Sequence, residues 1–321
     1  MSEDQKLSYN EPWILQRADP YIYRHIDGTY YFTASVPEYD GIVLRKAGSL
    51  AGLKDAEEVE VWHKHERGIM SQHVWAPELH YLDGKWYLYF AASDVDDIWA
   101  LRPYVLECTD DDPVTGHWVE LGKMQKAAGD EFSFENFSLD GTVFENYGHR
   151  YYVWAEKVGV GSQISNLYIG EMETPNRLKS IQVLLTTPDY DWERAVLWVN
   201  EGPAVLKRGG KIFLTYSASD TGIHYCMGML SIDEQADLLD PQAWKKERNP
   251  ILCSDAQRQI YGPGHNSFTV DEAGNDIMVY HARTEAEITG NPLYNPNRHT
   301  MLMKLRWDAE GIPIFGYETG I

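Results

Sequence analysis

One hairpin recurs five times along this chain, and that repetition limits the fold more than any other feature. The segments "DGTYYFTAS" (27–35), "DGKWYLYFAAS" (83–93), "YGHRYYVWAEK" (147–157), "GGKIFLTYSAS" (209–219) and "AGNDIMVYHAR" (273–283) each set a glycine turn before a strand rich in aromatic and β-branched residues. Their turn glycines, Gly28, Gly84, Gly148, Gly209 and Gly274, lie 56, 64, 61 and 65 residues apart. A steady period with one supersecondary unit per copy marks a repeat architecture. Each copy also carries a short apolar run leading into its turn: "DPYIYRHI", "APELHYL", "DGTVFEN", "EGPAVLKR" and "HNSFTV". A unit of about 60 residues with two clear strands, and room for two weaker ones, matches one four-stranded propeller blade. The expectation is an all-β, five-bladed β-propeller, a single domain over residues 1–321 with 1–12 as an N-terminal tail. A pair of β-sandwiches is the runner-up, but it has no need of the same hairpin five times. Only "SIDEQADLLDPQAW" (231–244) has a brief helical period, and it reads equally as a loop turn.

Composition bears on partners more than on fold. Among the 321 residues, 28 are basic and 49 acidic, a net charge of −21. That charge repels phosphate backbones and anionic membrane surfaces, so neither nucleic acid nor membrane is an expected partner. No run of about 18 uncharged apolar residues occurs, and "MSEDQKLSYN" lacks both a basic and an apolar leader region. Cys108, Cys226 and Cys253 are odd in number and widely spaced, which supports neither a disulfide framework nor a CxxC metal site. These features predict a cytoplasmic location. Trp, Tyr and Phe make up 13% of the chain. Most belong on strands packed between sheets, with a minority free to stack on sugar faces.

In a propeller the first strand of each blade lines the central channel, so residues at its start converge at one end of the axis. Counting back eight or nine positions from each turn glycine gives Asp19, Ala76, Asp140, Glu201 and His265. Aspartate before glycine or proline is an ordinary turn former, so "RADP" and "LDG" have a purely structural reading. Glu201 in "NEGP" has no such duty. Three carboxylates converging on a channel suit glycosidic bond cleavage, in which one group protonates the leaving oxygen and another activates water or attacks the sugar carbon. A third, ionised carboxylate beside the acid raises that acid's pKa and keeps it protonated. Spacing alone does not say which residue does which.

The segments "RADPYIYR", "WAPELHYLDGKWYLYF", "SLDGTVF", "NEGPAVLKRGGKIFLTYSAS", "GPGHNSF" and "NRHTMLMKLRWDAEGIPIFG" resemble glycoside hydrolase family 43, five-bladed propellers acting on arabinose- and xylose-containing glycans. The likeness covers residues 10–320. It implies an inverting mechanism with Asp19 as general base, Asp140 tuning and orienting the acid, and Glu201 as general acid, base and acid lying roughly 6.5–9.5 Å apart. It also implies that His265 lies near the axis, where relatives often hold a hydrated calcium or another ion; a metal-free, hydrogen-bonded channel histidine is the alternative. No other cofactor is expected. Arg298 matches a position that contacts the sugar in relatives, and Trp75 stands beside the head of blade two as a candidate pocket wall. Phe32 and Trp99 are candidate pocket aromatics on composition alone.

Other chemistries lack their signatures. His63, His65, His73 and His80 cluster without an HExxH pattern, and no GxSxG, GxxxxGK[ST] or GxGxxG occurs. The acidic runs "SDVDDIW" and "TDDDPVTG" do not continue into an EF-hand loop. The function expected is that of an exo-acting α-L-arabinofuranosidase on short oligosaccharides, the class reachable in a cytoplasm. The chain ends soon after the fifth blade, leaving nothing for the additional β-sandwich that family β-xylosidases often carry, which ranks β-xylosidase second and endo-arabinanase third. A non-catalytic sugar-binding propeller is the alternative of another class. Such propellers repeat similar residues in every blade, whereas these blade heads differ.

Overall fold

In the computed structural model, which describes residues 7–158 and 163–317, the chain forms antiparallel sheets arranged as five blades about an axis. The inner strands are Ala18–Arg24, Gln72–Leu82, Ser138–Asn146, Asn200–Arg208 and Tyr261–Val270. Each touches the inner strand of the next blade, and the fifth touches the first, so the contacts close a circle. The recurring hairpin joins each inner strand to its second strand: Tyr30–Ser35, Lys85–Asp94, His149–Val158, Lys211–Ala218 and Asp276–Arg283. The five marker glycines have φ between +59° and +90°, where a β-carbon is penalised.

Each blade is covered on both faces, which explains why its strands are apolar almost without a break. Val153 and Ala155 face blade four and pack with Ile212, Leu214 and Tyr216. Tyr152 and Trp154, alternating with them, face blade two and pack with Tyr87 and Tyr89. Equivalent apolar layers join blades one and two, four and five, and five and one. Phe32 belongs to the last of these layers. It is fully buried with Ile22, Tyr30 and Val279, because it sits mid-strand between two blades and not at a blade head.

No α-helix occurs among the described residues. Residues 231–244 leave the strand Cys226–Asp233 as successive turns, in which Asp233, Asp237 and Asp240 accept backbone N–H bonds from Gln235, Leu239 and Gln242 at 2.8, 2.9 and 3.0 Å. Aspartates that cap their own turns compete with a helix.

Blade five has three strands, ending with His299–Lys304, and the start of the chain pairs with the last of them. The Asn10 and Trp13 N–H groups donate to the Leu302 and Thr300 carbonyls, both at 2.8 Å, and Thr300 N–H donates to the Ile14 carbonyl at 2.9 Å. From Asn10 onward, therefore, the segment expected as a tail is paired, and it fastens the end of the ring to its beginning. Trp13 anchors this clasp, buried beside Ile14, Leu50 and Leu302. Trp13→Ala is expected to cost about 3–5 kcal/mol, seen as a lower melting temperature by circular dichroism; an unchanged melting temperature would show that closure does not depend on this anchor.

Candidate active site

Every inner strand begins with the same irregularity. The pairing register shifts at Ala18/Tyr21, Trp75/Glu78, Glu201/Ala204 and Gly264/Ser267, and in blade three opposite Val153/Ala155. Within each shift one residue is left-handed: Asp19 (φ 53°), Ala76 (47°), Asp140 (54°), Gly202 (55°) and His265 (43°). Counting from the turn glycines places Glu201 in this series, but the structure puts Gly202 there and Glu201 one residue earlier. The cause is the double glycine of blade four. Gly210, not Gly209, is the second turn residue and matches Gly84 and Gly148. A β-carbon on Gly202 would lie 3.1 Å from the His265 ring.

Left-handed backbone at non-glycine residues persists only where the surroundings hold it. Here the hold comes across blades. The Ala76 N–H donates to Ser35 Oγ at 2.8 Å, the His265 N–H to Ser217 Oγ at 2.7 Å, and the Asp19 N–H to His281 Nδ1 at 3.1 Å. Ser35, Ser217 and His281 occupy equivalent places on second strands, opposite Ala18, Glu201 and Gly264. Each holds the head of the following blade. Gly202 N–H donates to Asp140 Oδ2 at 3.1 Å, which ties blade four to blade three.

These bulges bring Asp19, Asp140, Glu201 and His265 into one cavity of about 320 Å³, with Trp75 and Arg298 in its wall. Asp19 accepts a 2.6 Å hydrogen bond from Ser35 Oγ and lies 3.3 Å from His265 Nδ1 and 3.5 Å from Arg298 Nη1. Burial pushes its pKa up, but the charges of His265 and Arg298 outweigh burial and hold it well below the usual carboxylate range. His281, driven down to about 4 by burial, is neutral there.

Asp140 and Glu201 behave in the opposite way. Burial pushes Asp140 up to about 8, reinforced by the charges of Glu201 and Asp19 and opposed by His265. Burial also raises Glu201, against a 2.8 Å hydrogen bond donated to its Oε1 by the Tyr225 hydroxyl. The two carboxyls titrate as a pair and keep a proton at a pH where Asp19 is ionised. Burial lowers the His265 pKa but Asp140, Asp19 and Glu201 raise it more, which favours its protonated form 3.3 Å from Asp19 and 3.8 Å from Asp140.

Arg298 is held by the Tyr39 hydroxyl, which accepts from its Nη2 at 2.7 Å. Trp99 is 55% exposed and outside the cavity wall; its ring lies 5.3 Å from that of His73, which stacks on Trp75 at 4.6 Å. His265 Nδ1 faces two carboxylates, and among the described residues no group of three or more His, Cys, Asp or Glu is arranged to hold a metal directly. His63, His65 and His80 pair with Glu60, Glu120 and Glu78.

Sequence counting misses several contributors: Ser35, Tyr39, Lys157, Tyr225 and His281. Ser35, Ser217 and His281 do carry a signal, since each falls seven or eight residues after its turn glycine. Tyr39 and Tyr225 carry none, because they come from connections outside the repeated hairpin. Lys157 lines the cavity from the end of a second strand, its ammonium 4.0 Å from the Phe137 ring centroid and its pKa lowered by burial.

Comparison with known proteins identifies the family. Residues 9–313 match the family described as Glycosyl hydrolases family 43. An "Extracellular exo-alpha-(1->5)-L-arabinofuranosidase" of Streptomyces avermitilis is 47% identical over 311 residues, covering 97% of this chain but 63% of that protein. A protein of the same name from Streptomyces chartreusis is 48% identical over 285 residues, 88% of this chain and 85% of its own. The crystal structure of an α-L-arabinofuranosidase from Lactobacillus brevis superposes with a TM-score of 0.90 at 50% identity, covering 96% of each chain. The cytoplasmic expectation does not survive, because two of these relatives are named as extracellular. Scarce, unpaired cysteines say little about compartment in a fold stabilised by packing between blades. With the family matched over almost its whole described length, the chain belongs to glycosyl hydrolase family 43.

Proposed function

We propose that this protein is an inverting, exo-acting α-L-arabinofuranosidase that removes terminal arabinose from short arabino- or arabinoxylo-oligosaccharides, with the propeller as its catalytic domain. One observation carries the reading: a single cavity opposes an ionised carboxylate, Asp19, to a proton-holding pair, Asp140 and Glu201. Inverting hydrolysis needs that asymmetry. The names of the relatives at 47% and 48% identity support the sugar and the exo mode.

In this mechanism Asp19 takes a proton from water as the water attacks the anomeric carbon. Glu201 gives its proton to the departing glycosidic oxygen. Asp140, ionised once Glu201 holds the shared proton, keeps that acid protonated by repulsion, while the Gly202 N–H fixes its carboxylate. Tyr225 orients Glu201, and Arg298 and His265 keep Asp19 charged. The connections carrying Val196, Leu197, Pro292 and Leu293 wall the cavity, which suits a chain end better than a long polymer running through.

Glu201→Gln is expected to lose most activity on natural oligosaccharides, with a smaller loss on aryl arabinofuranosides whose leaving group needs little protonation. Equal losses on both would remove it as the acid. Asp19→Asn should cripple hydrolysis of every substrate, since water activation is always required, and near-normal turnover would take Asp19 out of the mechanism. The pH profile follows from the shifts. Asp19 stays ionised to below the usual carboxylate range, whereas the pair loses its proton as pH rises through about 8, so kcat/KM should hold through neutrality and fall above that point. Asp140→Asn removes the repulsion on Glu201 and should move the alkaline limb to lower pH; an unmoved limb would refute the coupling. Faster cleavage of nitrophenyl xyloside than of the arabinofuranoside would make β-xylosidase the better reading.

A further inference from the structure

We infer that Cys226 and Cys253 form an oxidation site, at which the chain closes an intramolecular disulfide across the outer edge of blade four. Sequence spacing gives no hint of it, since the two lie 27 residues apart and a third cysteine is present. The backbone sets them face to face. Met227 and Leu252 form an antiparallel bridge, with Met227 N–H donating to the Leu252 carbonyl at 2.9 Å and Ile251 N–H to the Met227 carbonyl at 2.8 Å. Cys226 and Cys253 are the next residues outward from that bridge on the two facing segments. Residues so placed can meet the α-carbon window of about 4.4–6.8 Å that a disulfide spans.

The side chains complete the arrangement. Interaction between the two thiols lowers the pKa of Cys253 and raises that of Cys226, and in the reduced form Cys226 Sγ donates to the Trp192 carbonyl at 3.9 Å. Cys253 is exposed and Cys226 is buried, so the more readily deprotonated thiol stands at the surface with a resolving thiol beneath it. Cys108 is buried in the layer between blades one and two and does not compete. A low-molecular-weight disulfide such as oxidised glutathione supplies the oxidant. The Cys253 thiolate attacks one of its sulfurs and releases a glutathione thiolate. Cys226 then loses its proton to solvent, attacks Cys253 Sγ and releases the second glutathione thiolate. Two protein thiols and one glutathione disulfide become one protein disulfide and two glutathione thiols.

The cross-link lies directly behind the site. Cys226 follows Tyr225, whose hydroxyl holds Glu201. Ser254 follows Cys253; its hydroxyl donates to the Ile223 carbonyl at 2.6 Å and accepts from Gly262 N–H at 2.8 Å, near the start of the strand that carries His265. Oxidation therefore fastens the outer edge of blade four to the segment entering blade five. Extracellular surroundings of the kind named for the relatives favour such a bond.

The experiment treats the full chain with oxidised glutathione and counts thiols in denaturant with Ellman's reagent. Thiols should fall from three to one, with tryptic peptides 212–245 and 249–258 joined in a non-reducing mass map. The melting temperature should rise by about 5 °C, as expected for a cross-link closing a loop of this size. Dithiothreitol should reverse the rise, and Cys253→Ser should abolish it. Three surviving thiols, a stable glutathione adduct on Cys253, or disulfide-linked dimers would each overturn the inference.

Discussion

The site depends on backbone that its own residues disfavour. Asp19, Ala76, Asp140 and His265 each hold a left-handed conformation that costs about 1–2 kcal/mol for a residue with a β-carbon. At Ala76, His265 and Asp19 a restraint comes from the neighbouring blade, through Ser35, Ser217 and His281. Because His281 on blade five holds Asp19 on blade one, the arrangement exists only in a closed ring. The pairing of Asn10–Ile14 with Leu302 and Thr300 is thus linked to the geometry of a carboxylate far from it in sequence.

Closure also creates the electrostatics. Three carboxyls meeting in a buried space would all resist ionisation if left alone. His265 and Arg298 break the symmetry by standing nearer to Asp19, so one carboxylate is stabilised as an anion. Asp140 and Glu201 receive weaker compensation, through Gly202 N–H and the Tyr225 hydroxyl, and retain a proton between them. Proximity to His265 and Arg298 separates the ionised carboxyl from the proton-holding pair. Residue type alone cannot, since Asp19 and Asp140 are both aspartates in the same backbone position.

Much of this was legible in the repeat. Hairpin turns, apolar strands and blade heads recur because each blade solves the same packing problem. The off-by-one placement of Glu201 arose where two glycines share a turn, so that the marker was ambiguous by one residue. Phe32 was misplaced because an aromatic on a second strand reads the same whether it faces a cavity or a neighbouring blade. Tyr225 and the facing of Cys226 and Cys253 were invisible, since both depend on how irregular connections return to the edge of a sheet.

The sequence by itself determined the number of blades, the strands within them and the identity of the acids at their heads, because period and residue type are local properties. Only the tertiary structure decided which acid ionises, which side chains hold the strained backbone and which thiols meet. Those outcomes depend on distances of a few ångströms between residues from different blades, and such distances exist only once the ring has closed.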